Sequence, residues 1–267
     1  MKLNLREDFA SWWQGKDPFA QVRQLQGEIF RELEARRTLR FEHNGKGFFA
    51  KLHFGVGWRD IVDNLIRFRW PVLGATNEWQ AIKRLQQLGV KTMTPVAFGI
   101  KGCNPATQQS FIITEELHDM ISLEDLSLNW QQSPPSLKLK RNLIAQVAKI
   151  TRTIHENGLN HRDYYICHFL LSPKLPADLN PDLWLIDLHR AQVRNHTPRR
   201  WINKDLAALY FSVMDIGLCR NDLFRFIKIY TGKPLKQALK EKASTWRMLA
   251  KKAEKLYARK QRKGDAI

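Results

Sequence analysis

One apolar stripe constrains this chain more than any other feature, because it runs straight into residues that carry chemistry. Leu143, Val147, Ile150 and Ile154 recur at the spacing of one helical face, and Ile144 and Ala148 widen it. Asn157-Gly158 then offers a left-handed stop. Directly afterwards come Leu159-Asn160-His161-Arg162-Asp163, and farther on Trp184-Leu185-Ile186-Asp187-Leu188-His189, an apolar strand ending in a carboxylate. A helix feeding a polar loop, then a strand with an acid at its end, supplies two carboxylates from two elements. Phosphoryl transfer needs such a set, one carboxylate near the acceptor hydroxyl and another on Mg²⁺, because its chemistry is mostly positioning and charge neutralisation.

The first half is patterned differently. Thr38-Leu39-Arg40-Phe41-Glu42 alternates, Gly47 to Leu52 forms a second such run, and His43-Asn44-Gly45-Lys46 between them predicts a hairpin. Ile82, Leu85 and Leu88 predict a helix over about 76–88, stopped by Gly89. Phe111-Ile112-Ile113-Thr114 reads as a strand. From about residue 120 the pattern is mostly helical, broken at Ser133-Pro134-Pro135-Ser136 and by an extended loop from Ser172 to Pro181. Strands followed by helices predict an α+β protein of two lobes. Residues 1–117 form a strand-rich N-terminal lobe with a leading helical segment, and 118–267 a helical C-terminal lobe.

Forty-four Lys and Arg against 26 Asp and Glu leave a net charge of +18. That balance favours polyanionic partners such as nucleic acid, anionic membrane or a phosphorylated substrate, without choosing among them. Half of it lies in residues 233–267, where Leu235, Leu239, Trp246, Leu249, Leu256 and Tyr257 fall at helical spacing. Two readings stand for this tail: a basic amphipathic helix that meets an anionic membrane or an acidic partner, or a helix that packs its apolar face and solvates the rest. A pure nucleic-acid binder would show a basic strand interleaved with aromatics or a known motif; neither is present, so no nucleic-acid partner is expected. Cys103, Cys167 and Cys219 show no C-x-x-C pairing and fit neither a disulfide framework nor a zinc site, which points to a reducing compartment. Glu7 and Asp8 interrupt what a secretory signal would need, and no run of about 18 apolar residues occurs, so a cytoplasmic protein is expected.

His161-Arg162-Asp163 and the strand-end Asp187 resemble the catalytic loop and metal-binding aspartate of protein-kinase-like enzymes. Lys51, in Phe48-Phe49-Ala50-Lys51 on the third strand of the first lobe, stands where those enzymes carry their phosphate-pairing lysine. Glu78, on the following helix, stands where they carry its ion-pair partner. The resemblance implies a protein-kinase-like fold, with Asp163 catalytic, Asp187 on Mg²⁺, and Lys51 and Glu78 serving ATP. Each residue also has a plainer reading: a solvated strand-end lysine, an acid favoured by the helix dipole, a loop cap.

The pattern departs from ordinary protein kinases in several places. Five residues after Asp163, where they place a metal-binding asparagine, stands His168. Imidazole binds Mg²⁺ poorly, so His168 has three readings: second metal residue, orienting group for Asp187 or a phosphate, or packing. Asp187-Leu188-His189 replaces Asp-Phe-Gly and no Ala-Pro-Glu follows, which argues against a phosphorylation-controlled activation loop. No G-x-G-x-x-G precedes Lys51. The corresponding turn, Glu34-Ala35-Arg36-Arg37-Thr38, offers two arginines, of which Arg36 or Arg37 would grip nucleotide phosphate, with Arg37 taken as the candidate, beside the reading of a solvated turn. On Trp201 to Tyr210, Asp205 is a candidate for holding the catalytic-loop backbone.

Longer stretches bring the likeness closer. Asn160-His161-Arg162-Asp163-Tyr164-Tyr165-Ile166-Cys167-His168-Phe169-Leu170-Leu171, Ile186-Asp187-Leu188-His189-Arg190-Ala191-Gln192, Pro198-Arg199-Arg200-Trp201, Arg31 to Thr38 and Trp13 to Phe19 resemble the bacterial lipopolysaccharide core heptose(I) kinases. The resemblance implies transfer of the ATP γ-phosphate to a hydroxyl of the first heptose of the inner core. It also implies an acceptor held at the cytoplasmic face of the inner membrane, with the enzyme peripheral there. The anionic membrane surface, and an acidic protein such as an acyl carrier protein, are partners the charge would suit. Two alternatives remain at this stage. One is a protein kinase or other small-molecule kinase of the same fold; the other is a noncatalytic kinase fold binding anionic lipid or nucleic acid, against which the retained Lys51, Asp163 and Asp187 stand.

Overall fold

Asn44 and Gly45 both sit at positive φ, 50° and 72°, the backbone of a two-residue I′ turn whose twist matches the strands it joins. The flanking pairs then run in register from His43↔Lys46 to Arg36↔His53. In this computed structural model, which describes residues 1–33, 35–66 and 74–264, that hairpin supplies two neighbouring inner strands of the larger sheet.

The chain forms two units. Met1–Lys83, Met93–His118 and Leu188–Arg190 make the first; Arg84–Thr92, Asp119–Asp187 and Ala191–Ile267 make the second. The first contains β1 (Lys2–Leu5), α1 (Glu7–Trp12), α2 (Pro18–Gln24), β2 (Glu28–Leu33), β3 (Arg36–His43), β4 (Lys46–His53), α3 (Gly57–Ile66), α4 (Thr76–Gln87), β5 (Pro95–Lys101) and β6 (Gln109–Glu115). The second contains β7 (Ile121–Ser122), α5 (Leu123–Ser127), α6 (Leu137–Glu156), β8 (Leu159–Asn160), β9 (Phe169–Leu171), β10 (Trp184–Leu185), β11 (Gln192–Val193), α7 (Arg199–Ser212), α8 (Arg220–Thr231), α9 (Leu235–Glu241) and α10 (Ala243–Gly264). This is the α+β order expected from the sequence, with two exchanges. Residues 84–92 group with the helical unit because they bond to it: the Leu185 amide donates to Lys91 O (2.9 Å) and Thr92 Oγ1 to Leu185 O (2.6 Å). Leu188–Arg190 groups with the strand-rich unit.

The six-stranded antiparallel sheet has the order β1-β5-β6-β4-β3-β2. Side chains alternate across it, so register assigns each residue a face. Leu39, Phe41, Phe48, Ala50, Leu52, Phe111 and Ile113 share one face and pack against Phe9, Trp13, Phe19 and Val22 of the N-terminal helical segment. Phe9 and Phe48 meet edge to face at 5.2 Å. Large side chains buried this completely contribute about 2 kcal/mol each. The opposite face carries Thr38, Lys51 and Ile112, and α4 lies over it, with Trp79 stacked on Phe98 at 4.8 Å. β1 pairs antiparallel with β5, so Lys51 lies on the fourth strand of the chain rather than the third.

In the second unit Ser136 Oγ accepts from the Leu139 amide and caps α6. Leu143, Val147, Ala148, Ile150 and Ile154 are buried along it. The basic tail becomes α9 and α10. Its Leu249 is buried with Leu206, Ala207 and Tyr230, with Trp246 packed against them, while Arg247, Lys251, Lys252 and Lys255 are exposed. The tail therefore packs its apolar face inside its own unit.

Gly158 ends α6 at φ 79° and leads into β8, and its carbonyl accepts from the Arg194 amide at 2.9 Å. A Cβ there would overlap the Arg194 carbonyl oxygen, and both atoms are backbone. Gly158→Ala is expected to lower stability by about 3 kcal/mol; urea denaturation with the midpoint displaced less than that implies would show that the α6–β8 corner yields.

Candidate active site

The loop after β8 is held from beneath. Asp205, fully buried on α7, accepts the His161 amide on Oδ2 (2.7 Å) and the Arg162 amide on Oδ1 (2.8 Å). Its sequence-stretch role as holder of this loop is what the geometry shows. His155 Nε2 lies 3.5 Å from Asp205 Oδ2, and its Nδ1 is 3.1 Å from the Tyr230 hydroxyl. Hydrogen bonds from amides to a buried carboxylate are the stronger kind, about 1.5–3 kcal/mol each. They hold Arg162 at φ 76°, a conformation costly for a side chain of that size. The Arg162 guanidinium stacks over Trp201 at 5.0 Å.

Asp163 follows at once. Its carbonyl accepts from His168 Nδ1 at 2.7 Å. Because a carbonyl can only accept, Nδ1 carries a proton, and Nε2 is the ring nitrogen turned toward Asp187. That atom lies 3.4 Å from Asp187 Oδ2. A ring nitrogen and a carboxylate oxygen this close suit a proton or a cation between them. A backbone carbonyl taking the other ring N–H is also how a metal-binding imidazole is usually oriented. Asp187 itself sits at φ 59°. Below it the His161 ring stacks on His168 at 5.5 Å, and its Nε2 donates to Ile186 O at 2.9 Å. Burial pushes the His161 ring well below the usual imidazole range, so it stays neutral.

The first unit holds a lysine–glutamate pair. Lys51 Nζ meets Glu78 Oε1 at 2.6 Å, with Glu78 only 1% exposed. Glu78 Oε2 is buried and lacks a hydrogen-bond partner. The expected lysine–glutamate pair is thus formed, and it fixes the ammonium on one face of β4. Register separates the two turn arginines. Thr38 pairs with Lys51 and Arg36 with His53, so Arg36 shares the lysine's face, whereas Arg37 pairs with Leu52 on the face covered by α2. Arg37 there reaches Glu32 (3.6 Å) and Arg23 O (3.5 Å). It does not stand beside Lys51, and of the two it is Arg36 that does. Glu34 lies outside the described residues.

His53 escaped sequence reasoning, since nothing in its pattern separates it from a core residue. It is 5% exposed, and burial, with Arg36, Lys51 and His189 adding repulsion, pushes its pKa down to about 3.

The lipopolysaccharide kinase (Kdo/WaaP) family matches residues 20–230. Curated relatives include a lipopolysaccharide core heptose(I) kinase WaaP of Pseudomonas aeruginosa, 52% identical over 268 residues and covering all of both chains. One of the same description from Escherichia coli K12 is 52% identical over 265 residues, covering 98% of this chain and 99% of its own. Among solved structures, one described as WaaP in complex with acyl carrier protein superposes with a TM-score of 0.85 at 49% identity, covering 96% of this chain and 100% of its own.

The His53 shift makes a pH prediction. Its folded pKa lies below the unfolded value, so the stability tied to its neutral form is complete above about pH 6.5 and is lost as pH falls toward 3. The expected slope is up to about 1.4 kcal/mol per pH unit in that window. Urea midpoints of the wild type and His53→Leu, compared at pH 7 and pH 5, should show the wild type losing more stability; parallel losses would mean that His53 titrates normally.

Proposed function

The chain belongs to the lipopolysaccharide kinase (Kdo/WaaP) family, and from that membership we propose that it transfers the γ-phosphate of ATP to a hydroxyl of the first heptose of the lipopolysaccharide inner core. The observation that carries the chemistry is the linked set of Asp163, next to the two residues whose amides Asp205 holds, His168, and Asp187 after β10. Asp163 accepts the proton of the attacking hydroxyl, which needs a base within hydrogen-bond reach. Lys51, held extended by Glu78, takes oxygens of the nucleotide phosphates, and Arg36, on the same face of the sheet, adds positive charge there.

Asp187 and His168 are the residues that would hold Mg²⁺. Bound there, the ion supplies neutralisation of charge on the transferring and leaving oxygens. Among the described residues no group of three His, Cys, Asp or Glu gathers to hold a cation alone, so nucleotide oxygens would complete the shell. A carboxylate is the hard donor Mg²⁺ prefers, and His168 serves chiefly to orient it.

The test is transfer of labelled γ-phosphate to dephosphorylated inner-core lipopolysaccharide. Asp163→Ala is expected to lower the rate by about 10²–10⁴-fold with ATP binding largely kept. Lys51→Ala should impair productive use of ATP. Absence of label with well-folded wild type would remove the reading.

A partner belongs to this proposal. We infer an acidic acyl carrier protein, a class that complements a chain of charge +18. The helical unit supports it with a cavity of about 110 Å³ lined almost wholly by apolar groups, among them Trp130, Val147, Leu209, Leu223 and Phe226. Such a lining admits an aliphatic chain, which is what an acylated carrier delivers. Val147→Phe, filling this space, should leave the fold intact and reduce capture of acylated carrier protein but not of the unacylated form; equal capture of both would disconnect cavity and partner. A location at the inner face of the inner membrane follows from the acceptor, and no described helix is long and apolar enough to cross a membrane.

A further inference from the structure

Helix α3 turns apolar side chains outward. Ile61 is buried at 6% exposure, whereas Trp58, Val62 and Ile66 are 59%, 47% and 70% exposed. They recur four residues apart, so they form one stripe along the helix. Exposed hydrophobic residues scattered singly are ordinary, but an indole and two branched aliphatics aligned on one helix make a docking surface. Exposed Arg59 borders the stripe, and Asp63 lies one step farther from it.

The chemistry of the stripe selects its occupant. A second copy would bring together two chains each of charge +18, which mutual repulsion opposes. An anionic bilayer is attracted by that same charge. Helix α3 itself carries Arg59 against Asp60 and Asp63, while between Asp63 and Glu78 the sequence contains Arg67 and Arg69 and no acidic residue, so the segment from Arg59 to Asn77 is only slightly positive and most of the attraction comes from the rest of the chain. Tryptophan at one end of an apolar stripe, with arginine at its border, suits the headgroup boundary, where an indole is half in hydrocarbon and a guanidinium stays at the phosphates. We propose that α3 is an interfacial anchor, with Trp58, Val62 and Ile66 entering an anionic membrane surface and Arg59 at its headgroups. The kinase reading enters only in that its acceptor is carried on a lipid.

The test is flotation of the full chain with vesicles of phosphatidylcholine mixed with phosphatidylglycerol, and of phosphatidylcholine alone, at low and high salt. Wild type should float with the anionic vesicles. The double variant Val62→Glu, Ile66→Glu, at exposed positions that the fold does not need, should partition on the order of tenfold less, and Trp58→Ala should fall between. Wild type that does not float, or variants that float equally, overturn the anchor. So does concentration-dependent self-association, or capture of acyl carrier protein, that the double variant abolishes while vesicle binding persists. Phosphate transfer separates the anchor from the kinase reading. The double variant should act normally on inner-core oligosaccharide stripped of lipid and poorly on the acceptor in vesicles, and a defect on both would count against the anchor. A wild type inactive on both would remove the kinase reading, while flotation would still decide the anchor.

Discussion

The buried carboxylate of Asp205 is the group on which the second unit's chemistry depends. It has no exposed surface and accepts two consecutive amides, those of His161 and Arg162. Those donors would otherwise be buried without partners, at a cost of about 1–3 kcal/mol each. Their capture forces the backbone at Arg162 into positive φ, and the turn delivers Asp163 with its carbonyl toward His168 Nδ1. One rigid side chain on α7 therefore positions the Asp163 turn and, through the bond from His168 Nδ1, the surroundings of Asp187. None of these contacts touches a substrate. They are what allows the groups that do to be in place before it arrives.

The sheet solves a comparable problem by parity. A strand gives each side chain one of two faces, so the same β4 that sends Phe48, Ala50 and Leu52 into the core under the N-terminal helical segment sends Lys51 toward α4. Glu78 then meets the ammonium while almost wholly removed from water. An exposed pair of this kind would contribute little. With Glu78 buried, the attraction is stronger and the lysine is denied other rotamers, so the pair acts mainly as a positioning device.

Much of this was legible in the chain itself. The α6 stripe, the Asn44-Gly45 turn, the Lys51–Glu78 pair and the Asp205 clamp each follow from local periodicity or from a motif whose residues play separable roles. What was not legible depends on pairing across strands. Arg36 and Arg37 are indistinguishable as neighbours in a sequence, yet register places them on opposite faces, and a one-residue choice of candidate reverses its environment. His53 hides for the same reason. A single imidazole in an apolar run carries no local sign that it will be buried beside cations. The N-terminal strand β1 was invisible as well, because its partner, β5, lies more than 90 residues away in the chain.

The departures from ordinary protein kinases are intelligible once function is assigned to charges rather than to motifs. A glycine-rich turn brings backbone amides to phosphate, while a turn that places Arg36 on the lysine's face brings a guanidinium, and under the proposed function either would supply positive charge to the same oxygens. His168 stands where an amide would, an imidazole whose orientation toward Asp187 is fixed by its bond to the Asp163 carbonyl. That couples the position of Asp187 to that of the catalytic loop, a link that asparagine, with freely exchangeable partners, would make less rigidly. The basic surface divides in a similar way. The α10 cations stand on a helix whose apolar face is already buried, so they act at a distance, over roughly the 10 Å that salt permits. The α3 stripe acts only on contact. Attraction without insertion would let a protein leave a membrane as readily as it arrives, and insertion without attraction would seldom begin; the anchor we propose needs both, because its acceptor would be carried on a lipid.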